Sequence, residues 1–422
     1  MITSGFHGKF YNYLEKKLNS GEQVLCINGK KYFITQEDRK RCMIEDSELS
    51  LVVFLYDYEL WGQAGDVQSA YVCGSFTSWV ENPDFKMTFS PELLLQYLAV
   101  PFSALKECGN SSHPEYKFCI NGNYISLAGK NFIPEPYFFP SFDKNLMVVL
   151  STDNLEEAIK LNRIAGWVKK LSDFDLESRE GQEEISNFRL VPGTRKLFRS
   201  FHPFYPTGNR NEIFETEKKR IELVQKLASE EGIKSDINLT DDYTVFAGQE
   251  IHWLDGTCAK IEIPPYYQKI IDSKCVCNVA APSGIVPSYE YVYAKPRDPL
   301  FGEWVRCIVN FIIDDSHPAP FQIHCAIGTD RTGVFSAVLG GLCGASWKEV
   351  SEDYEKTNRM GINEYRSKVF LAQSFQRLLD VEDISKVKNL SERLTDYFTT
   401  AKIEGEPILT MQQIKALIKK IG

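Results

Sequence analysis

The segment PFQIHC (320–325) runs into RTGVFSAVLGGLCG (331–344) across only five residues. The first is an apolar run of strand length, and the second is long and apolar enough for a buried helix. A strand that turns so directly into a helix commits this part of the chain to an α/β layer. It also aims successive backbone N–H groups at one point beside a helix N-terminus, which is a ready anion site. Gly328 lets the loop close tightly, and Ala326, Ile327, Gly328 and Thr329 supply the amides. Cys325 sits where a helix N-terminus and a nearby cation favour the thiolate, the nucleophilic form of the side chain. Arg331 offers a planar fork for two anion oxygens, which Lys cannot provide. Thr332 places a hydroxyl beside the sulfur, and His324 is positioned to fix the loop from the strand side. The same residues also describe a buried Cys at a strand end with a helix-capping Thr.

The flanks extend the alternation. RKLFRS (195–200) and IKSDINL (233–239) are strand-like, while ETEKKRIELVQKLASEEG (215–232) and LFGEWVRCIVNFII (300–313) have helical spacing. SERLTDYFTT (391–400) and TMQQIKALIKKIG (410–422) predict terminal helices. The expected architecture over 186–422 is an α/β domain with a central sheet flanked by helices.

The first 150 residues differ. VLCINGKKYFIT (24–35) and YKFCINGNYISL (116–127) each place Asn-Gly between apolar runs, a strong hairpin signal. LSLVVFLYDYEL (49–60), SAYVCGSFTSW (69–79) and NLMVVL (145–150) add strands, so 1–150 is expected to be a β-sandwich. Between the two lies a helical linker over 151–185, where Ser and Thr precede an acidic turn and then the acidic stretch SDFDLESREGQEE (172–184).

At 422 residues, with 43% hydrophobic and 25% charged side chains, the chain is multidomain and globular. A net charge of −9 argues against a nucleic-acid binder or a ligand of anionic membranes. The opening lacks a secretory layout, and no apolar run approaches a membrane span. Eleven scattered cysteines form no framework and no zinc spacing, so a cytoplasmic protein with reduced thiols and no metal is expected.

His324, Cys325, Arg331, Thr332 and Gly333 at this spacing resemble the active-site loop H-C-x5-R-[ST] of the cysteine-dependent protein tyrosine phosphatases. Asp330 before Arg331 narrows the resemblance to the bacterial and lower-eukaryote group with loops of the form H-C-x-A-G-K-D-R-T-G. NFRLVPGTRKLFRS (187–200) is similar to the entry segment of that group, and WKEVSEDYEKTNRMG (347–361) to its downstream helix. The resemblance implies a phosphate-monoester hydrolase without a cofactor. Cys325 would attack phosphorus, Arg331 and the amides of 326–329 would hold the oxygens, and water would release the thiophosphate.

Phosphotyrosine, on a protein or as a small ester, is the first substrate class implied, with inositol phosphates and phosphoglucan as alternatives. Asp330 is the implied general acid, or else a loop-stabilising ion pair. Asp241 and Asp242 are the other carboxylates in play. Arg199 would touch substrate or hold the loop. Ile327 and Thr329 stand where the group has Ala and Lys, and losing that Lys removes a cation suited to multiply charged or lipid phosphates. Cys325 is the thiol expected to oxidise first.

AYVCGSFTSW (70–79) with EYKFCINGNY (115–124) resembles the glycogen-binding type of carbohydrate-binding module found in the β subunit of AMP-activated kinase. That resemblance implies a glucan partner held by Trp79, Lys117 and Tyr124, although Tyr124 stands for a Trp and Asn121 for an Asp. A sandwich that has lost sugar binding is the alternative. A non-catalytic scaffold for glucan or phosphoprotein is the rival for the chain as a whole.

Overall fold

The computed structural model describes residues 23–62, 67–77, 79–105, 113–127, 129–140, 144–151, 155–156, 158–159, 168–205, 214–252, 256–362 and 364–422. The chain divides into two compact units, Met1–Ile164 and Ala165–Gly422.

In the first unit, β1 (Val24–Ile27) and β2 (Lys30–Phe33) form a hairpin. Asn28 and Gly29 turn it with φ of 47° and 82°, the left-handed pair that a tight primed turn requires. One antiparallel sheet has the order β3 (Met43–Asp46), β4 (Leu51–Asp57), β7 (Leu95–Pro101), β6 (Thr88–Ser90). The other has the order β10 (Phe138–Phe139), β11 (Asn145–Met147), β8 (Glu115–Ile120), β5 (Ala70–Gly74), with β9 (Asn123–Tyr124) also paired to β8.

Val52, Phe54 and Tyr56 of β4 join Val72, Tyr116 and Phe118 of the facing sheet in one core. Phe54 meets Tyr116 edge-on at 4.7 Å between ring centroids, and Tyr56 meets Phe118 at 5.1 Å. Val53 and Leu55 point the other way, into a second cluster with Leu25, Ile27 and Tyr32 of the first hairpin. Being covered on both faces, β4 is apolar without alternation.

Most of the capped helix expected after residue 150 falls on residues outside the described set, although Leu155, Glu156, Ala158 and Ile159 are helical. The acidic stretch that followed it belongs to the second unit and is folded. Arg179–Ser186 is a helix capped by Ser178, and it buries Ile185 against Phe174 and Leu223. Gly181 allows this close approach, since a Cβ there would lie 1.9 Å from the Asp175 carbonyl oxygen. Three of the acidic side chains around it, Glu183, Glu230 and Glu231, take up Arg179.

The second unit is built on a mixed sheet in the order β12 (Arg189–Leu190), β13 (Leu197–Ser200), β18 (Phe321–His324), β14 (Ser235–Asn238), β17 (Val276–Asn278). Only β12 and β13 pair antiparallel. The intervening hairpin of β15 (Glu250–His252) and β16 (Cys258–Lys260) stands apart from it.

Helices cover both faces. Leu197, Ile237 and Ile323 face a large core with the helices Pro299–Ile313, Asp330–Leu342, Leu390–Thr400 and Met411–Ile421. Phe198 and Val276 face a smaller one with Phe214–Glu230 and Pro265–Asp272. Ser200, His324 and Asn238 end their parallel strands in register. The loops at 201–205, 325–329 and 239–242 therefore leave the sheet side by side at its carboxyl edge, where parallel sheets bind ligands. No described helix is long and apolar enough to cross a membrane.

Candidate active site

Cys325 follows the last residue of β18 and is 2% exposed. The loop then turns through Gly328, at φ 73°, into the helix Asp330–Leu342. The neighbouring strand ends hold this turn. His202 donates its backbone N–H to the Ala326 carbonyl (3.3 Å), and Leu239 donates to that of His324 (2.9 Å). Ile327 is buried among Phe201, Val224, Met360 and Ile362, which anchors the middle of the loop. Thr329, at the N-cap, makes no side-chain cap bond, so first-turn amides are left without the usual partner.

The Gly328 carbonyl is clamped by two side chains, Asn187 Nδ2 at 3.0 Å and Arg199 Nη2 at 2.8 Å. In a trans peptide the next N–H points the opposite way, so the clamp directs the Thr329 amide away from itself. The clamp has its own support. Arg199 donates from Nη1 to Asp353 Oδ2 at 2.7 Å, and Arg189 from Nε to Asp353 Oδ1 at 2.5 Å. Arg189 also holds Asn187 through its side-chain oxygen. All three charged groups are shielded from solvent. Burial pushes the Asp353 carboxyl up, but Arg189 and Arg199 outweigh it and leave it below the ordinary carboxylate value.

Arg331 donates from Nη1 to the Leu239 carbonyl at 2.9 Å and to that of Pro287 at 3.4 Å. Its guanidinium thus spans from the loop after β14 to the segment before the helical turn Tyr289–Tyr293. The hydroxyls of Thr332 and Thr329 are buried without a hydrogen-bond partner. His324 is fully buried behind Cys325, with Nδ1 3.3 Å from the Cys325 carbonyl oxygen and Nε2 2.7 Å from the Tyr243 hydroxyl.

The carboxylates separate clearly. Asp330 accepts from Arg366 Nε (2.7 Å), Arg366 Nη2 (3.4 Å) and the Tyr293 hydroxyl (3.0 Å). Asp242 caps the turn Tyr243–Phe246 and accepts from Asn278. Asp241 is exposed, two residues beyond the carbonyl that holds Arg331. Among the described residues, no three His, Cys, Asp or Glu side chains are close enough together to hold a metal ion.

Cys275 and Cys277 both lie around β17, and Cys277 faces Cys307 of the helix Pro299–Ile313 with 3.8 Å between sulfurs. The shared S–H···S contact holds the Cys307 thiol down, to about 7, against the opposing effect of burial. Its thiolate therefore forms above that pH, and its alkylation by iodoacetamide, followed by peptide mass mapping, is expected to show a midpoint near 7. An ordinary thiol would titrate at about 8.5, and a midpoint there would contradict this sharing.

In the first unit, Lys117 and Cys119 lie on the face of β8 opposite the core residues Tyr116 and Phe118, and Cys119 is paired with Tyr124. The Tyr124 hydroxyl donates to the Trp79 carbonyl. Tyr124 is 49% exposed, Trp79 is half-buried and Lys117 is covered. Lys117 and Tyr124 thus share one face of the sheet, and Trp79 meets it through its backbone carbonyl.

Asn187, Asp353, Tyr293, Arg366, Asp236 and Tyr243 were not singled out from the sequence, and each touches the loop or a residue that does. Asn187 and Asp353 lie inside segments similar to the phosphatase group, which was the available signal for those two.

Residues 285–402 match the model of the tyrosine phosphatase family. The chain therefore carries a hydrolase domain of that family, a cysteine-type phosphatase, and the match begins just before the Arg331-binding Pro287 and includes the whole loop. A similar solved structure is the core catalytic domain of the PP-IP phosphatase SIW14 from S. cerevisiae in complex with citrate. It is 15% identical, with a TM-score of 0.24, and the alignment covers 46% of this chain and 91% of that one. No curated protein matches the chain.

Proposed function

We propose that the second unit hydrolyses phosphate monoesters through Cys325, with phosphotyrosine as its first substrate class. The observation that carries this reading is the clamped loop. Gly328 is pinned by Asn187 and Arg199, so the amides and Arg331 are held in place before substrate arrives. Cys325 Sγ attacks phosphorus while the bond to the leaving oxygen breaks, and Arg331 with the loop amides carries the equatorial oxygens. The free hydroxyl of Thr332 then stabilises the sulfur as water displaces the phosphoryl group.

The leaving oxygen needs a proton. Asp330 is held as an acceptor by Arg366 and Tyr293, which favours Asp241 as the donor and Asp330 as an anchor of the helix start. Among the described residues, the basic side chains other than Arg331 that adjoin the loop are engaged: Arg199 with Asp353 and Arg366 with Asp330. That supports a singly phosphorylated aromatic ester over a polyanionic one. The exposed Tyr124, bonded to the backbone of Trp79, supports a second reading for the first unit, as a surface that stacks on sugar rings.

The test is phosphate release by the full chain from phosphotyrosine peptide, phosphoserine peptide, inositol phosphates and phosphorylated glucan. Cys325→Ser, Asp241→Asn and Asp330→Asn forms are run alongside. Turnover of the tyrosine ester that disappears in Cys325→Ser is expected, with Asp241→Asn slower than Asp330→Asn. Preference for an inositol phosphate or glucan would replace the substrate class. Binding without turnover of all four would favour a scaffold.

A further inference from the structure

We propose that Asp236 and Tyr243 are positioning residues for this reaction, acting through His324 on the peptide that carries Cys325. The proposal rests on Cys325 being the nucleophile. Asp236 lies on β14 and Tyr243 begins the turn after it, so both approach His324 from the neighbouring strand. His324 Nε2 is 2.7 Å from the Tyr243 oxygen and 3.3 Å from Asp236 Oδ2, and Tyr243 also bonds Asp236 Oδ2. The other ring nitrogen, Nδ1, faces the Cys325 carbonyl at 3.3 Å. Asp236 and His324 are fully buried and Tyr243 nearly so.

The positions of the protons follow from which groups can donate. A carboxylate only accepts, so the Tyr243 O–H points to Asp236. The Tyr243 oxygen is then free to accept from His324 Nε2–H. A backbone carbonyl also only accepts, so the Nδ1 contact with Cys325 is a hydrogen bond only when Nδ1 carries a proton. Tyr243 and Asp236 thus hold one edge of the His324 ring, and the opposite edge meets the Cys325 carbonyl and fixes its direction.

Other groups around His324 do not replace this one. His202 packs its ring 4.6 Å away, but its Nδ1 accepts from the Phe204 and Tyr205 amides, and burial pushes it well below the ordinary histidine value. Tyr267, from the helix Pro265–Asp272, donates to Gln322. Arg331 turns its Nη1 to the Leu239 and Pro287 carbonyls rather than to His324. Asp236 Oδ1 has no partner at all, whereas a carboxylate kept only for packing would be expected to use both oxygens.

The experiment uses the full chain with Asp236→Asn and Tyr243→Phe. Two rates are read: alkylation of Cys325 by iodoacetamide at fixed neutral pH, and kcat and KM on p-nitrophenyl phosphate. Asp236→Asn should slow both alkylation and kcat by about 10- to 100-fold, as the loss of an outer partner of a functional histidine does at metal sites, with KM little changed. Tyr243→Phe should slow both in the same direction and by less. Unchanged alkylation and kcat in folded Asp236→Asn protein would overturn the proposal. Should Asp236→Asn fail to fold, unchanged rates in Tyr243→Phe would overturn it equally. If the unmodified protein alkylates at Cys325 yet turns over no ester, the catalytic reading fails, and the alkylation comparison still decides the role of Asp236.

Discussion

Asp353→Ala is expected to lower the unfolding free energy by roughly 3–5 kcal/mol, the usual cost of removing one partner from a buried ion pair. The carboxylate is shared between two buried guanidinium groups, at 2.5 Å from Arg189 Nε and 2.7 Å from Arg199 Nη1. Burial already pulls Arg189 down to about 10, although Asp353 pulls the other way. Without Asp353 both cations stay inside the protein with no counter-charge. Asp353→Asn keeps the shape but not the charge, and is expected to fall between the two. Urea denaturation of the three forms gives the values directly.

The effect has a definite pH dependence. The folded-state pKa of Asp353 lies below its unfolded value, so its stabilisation is complete above the ordinary carboxylate range and is lost as pH falls through the folded value. The deficit of Asp353→Asn should therefore shrink in acid. A deficit that stays constant with pH would mean that packing, not charge, sets it. Because Arg199 also holds the Gly328 carbonyl, phosphate release should weaken in these variants at temperatures where they remain folded.

What could be read from the sequence was local. The Asn-Gly hairpins, the helix ending at Gly232 and the strand–Cys–loop–helix unit all declare themselves within a few residues, because turn chemistry and hydrophobic period are short-range signals. Cys325 and Arg331 are visible for the same reason: five residues separate them, and one loop positions both.

The support of the site is assembled from a distance. Arg199 and Asp353 lie 154 positions apart, and Arg366 pairs with Asp330 across 36. No periodicity links them, and Asp353 and Arg366 look like ordinary surface charges until the sheet order brings them inward. Asp330 shows the limit clearly. Its position beside Arg331 suggests an acid, but its chemistry depends on Arg366 and Tyr293, which only tertiary structure supplies. The acidic stretch 172–184 misleads in the opposite sense. Its charge suggests a solvated linker, yet Gly181 and Ile185 give it one inward face, and that is enough to dock the helix Arg179–Ser186.

Gly328→Ala is expected to cost about 10²-fold in kcat/KM, since misplacing reacting groups by about 1 Å has that effect. Two independent constraints require glycine here. At φ 73° a residue with a Cβ is strained by roughly 1–2 kcal/mol. A Cβ would also lie 2.2 Å from the Ser200 carbonyl oxygen and 2.8 Å from Asn187 Nδ2. Ser200 is the last residue of β13 and cannot yield without disturbing its pairing with β18. The loop must therefore move, and it moves against its own clamp: Asn187 is pushed off the Gly328 carbonyl that it holds. The Thr329 amide and the start of the helix shift with it, while the sheet and both cores stay in place. The signature is a large loss of phosphate release with only a modest fall in melting temperature. Full activity in folded Gly328→Ala protein would show that the amide geometry of this loop does not govern the reaction.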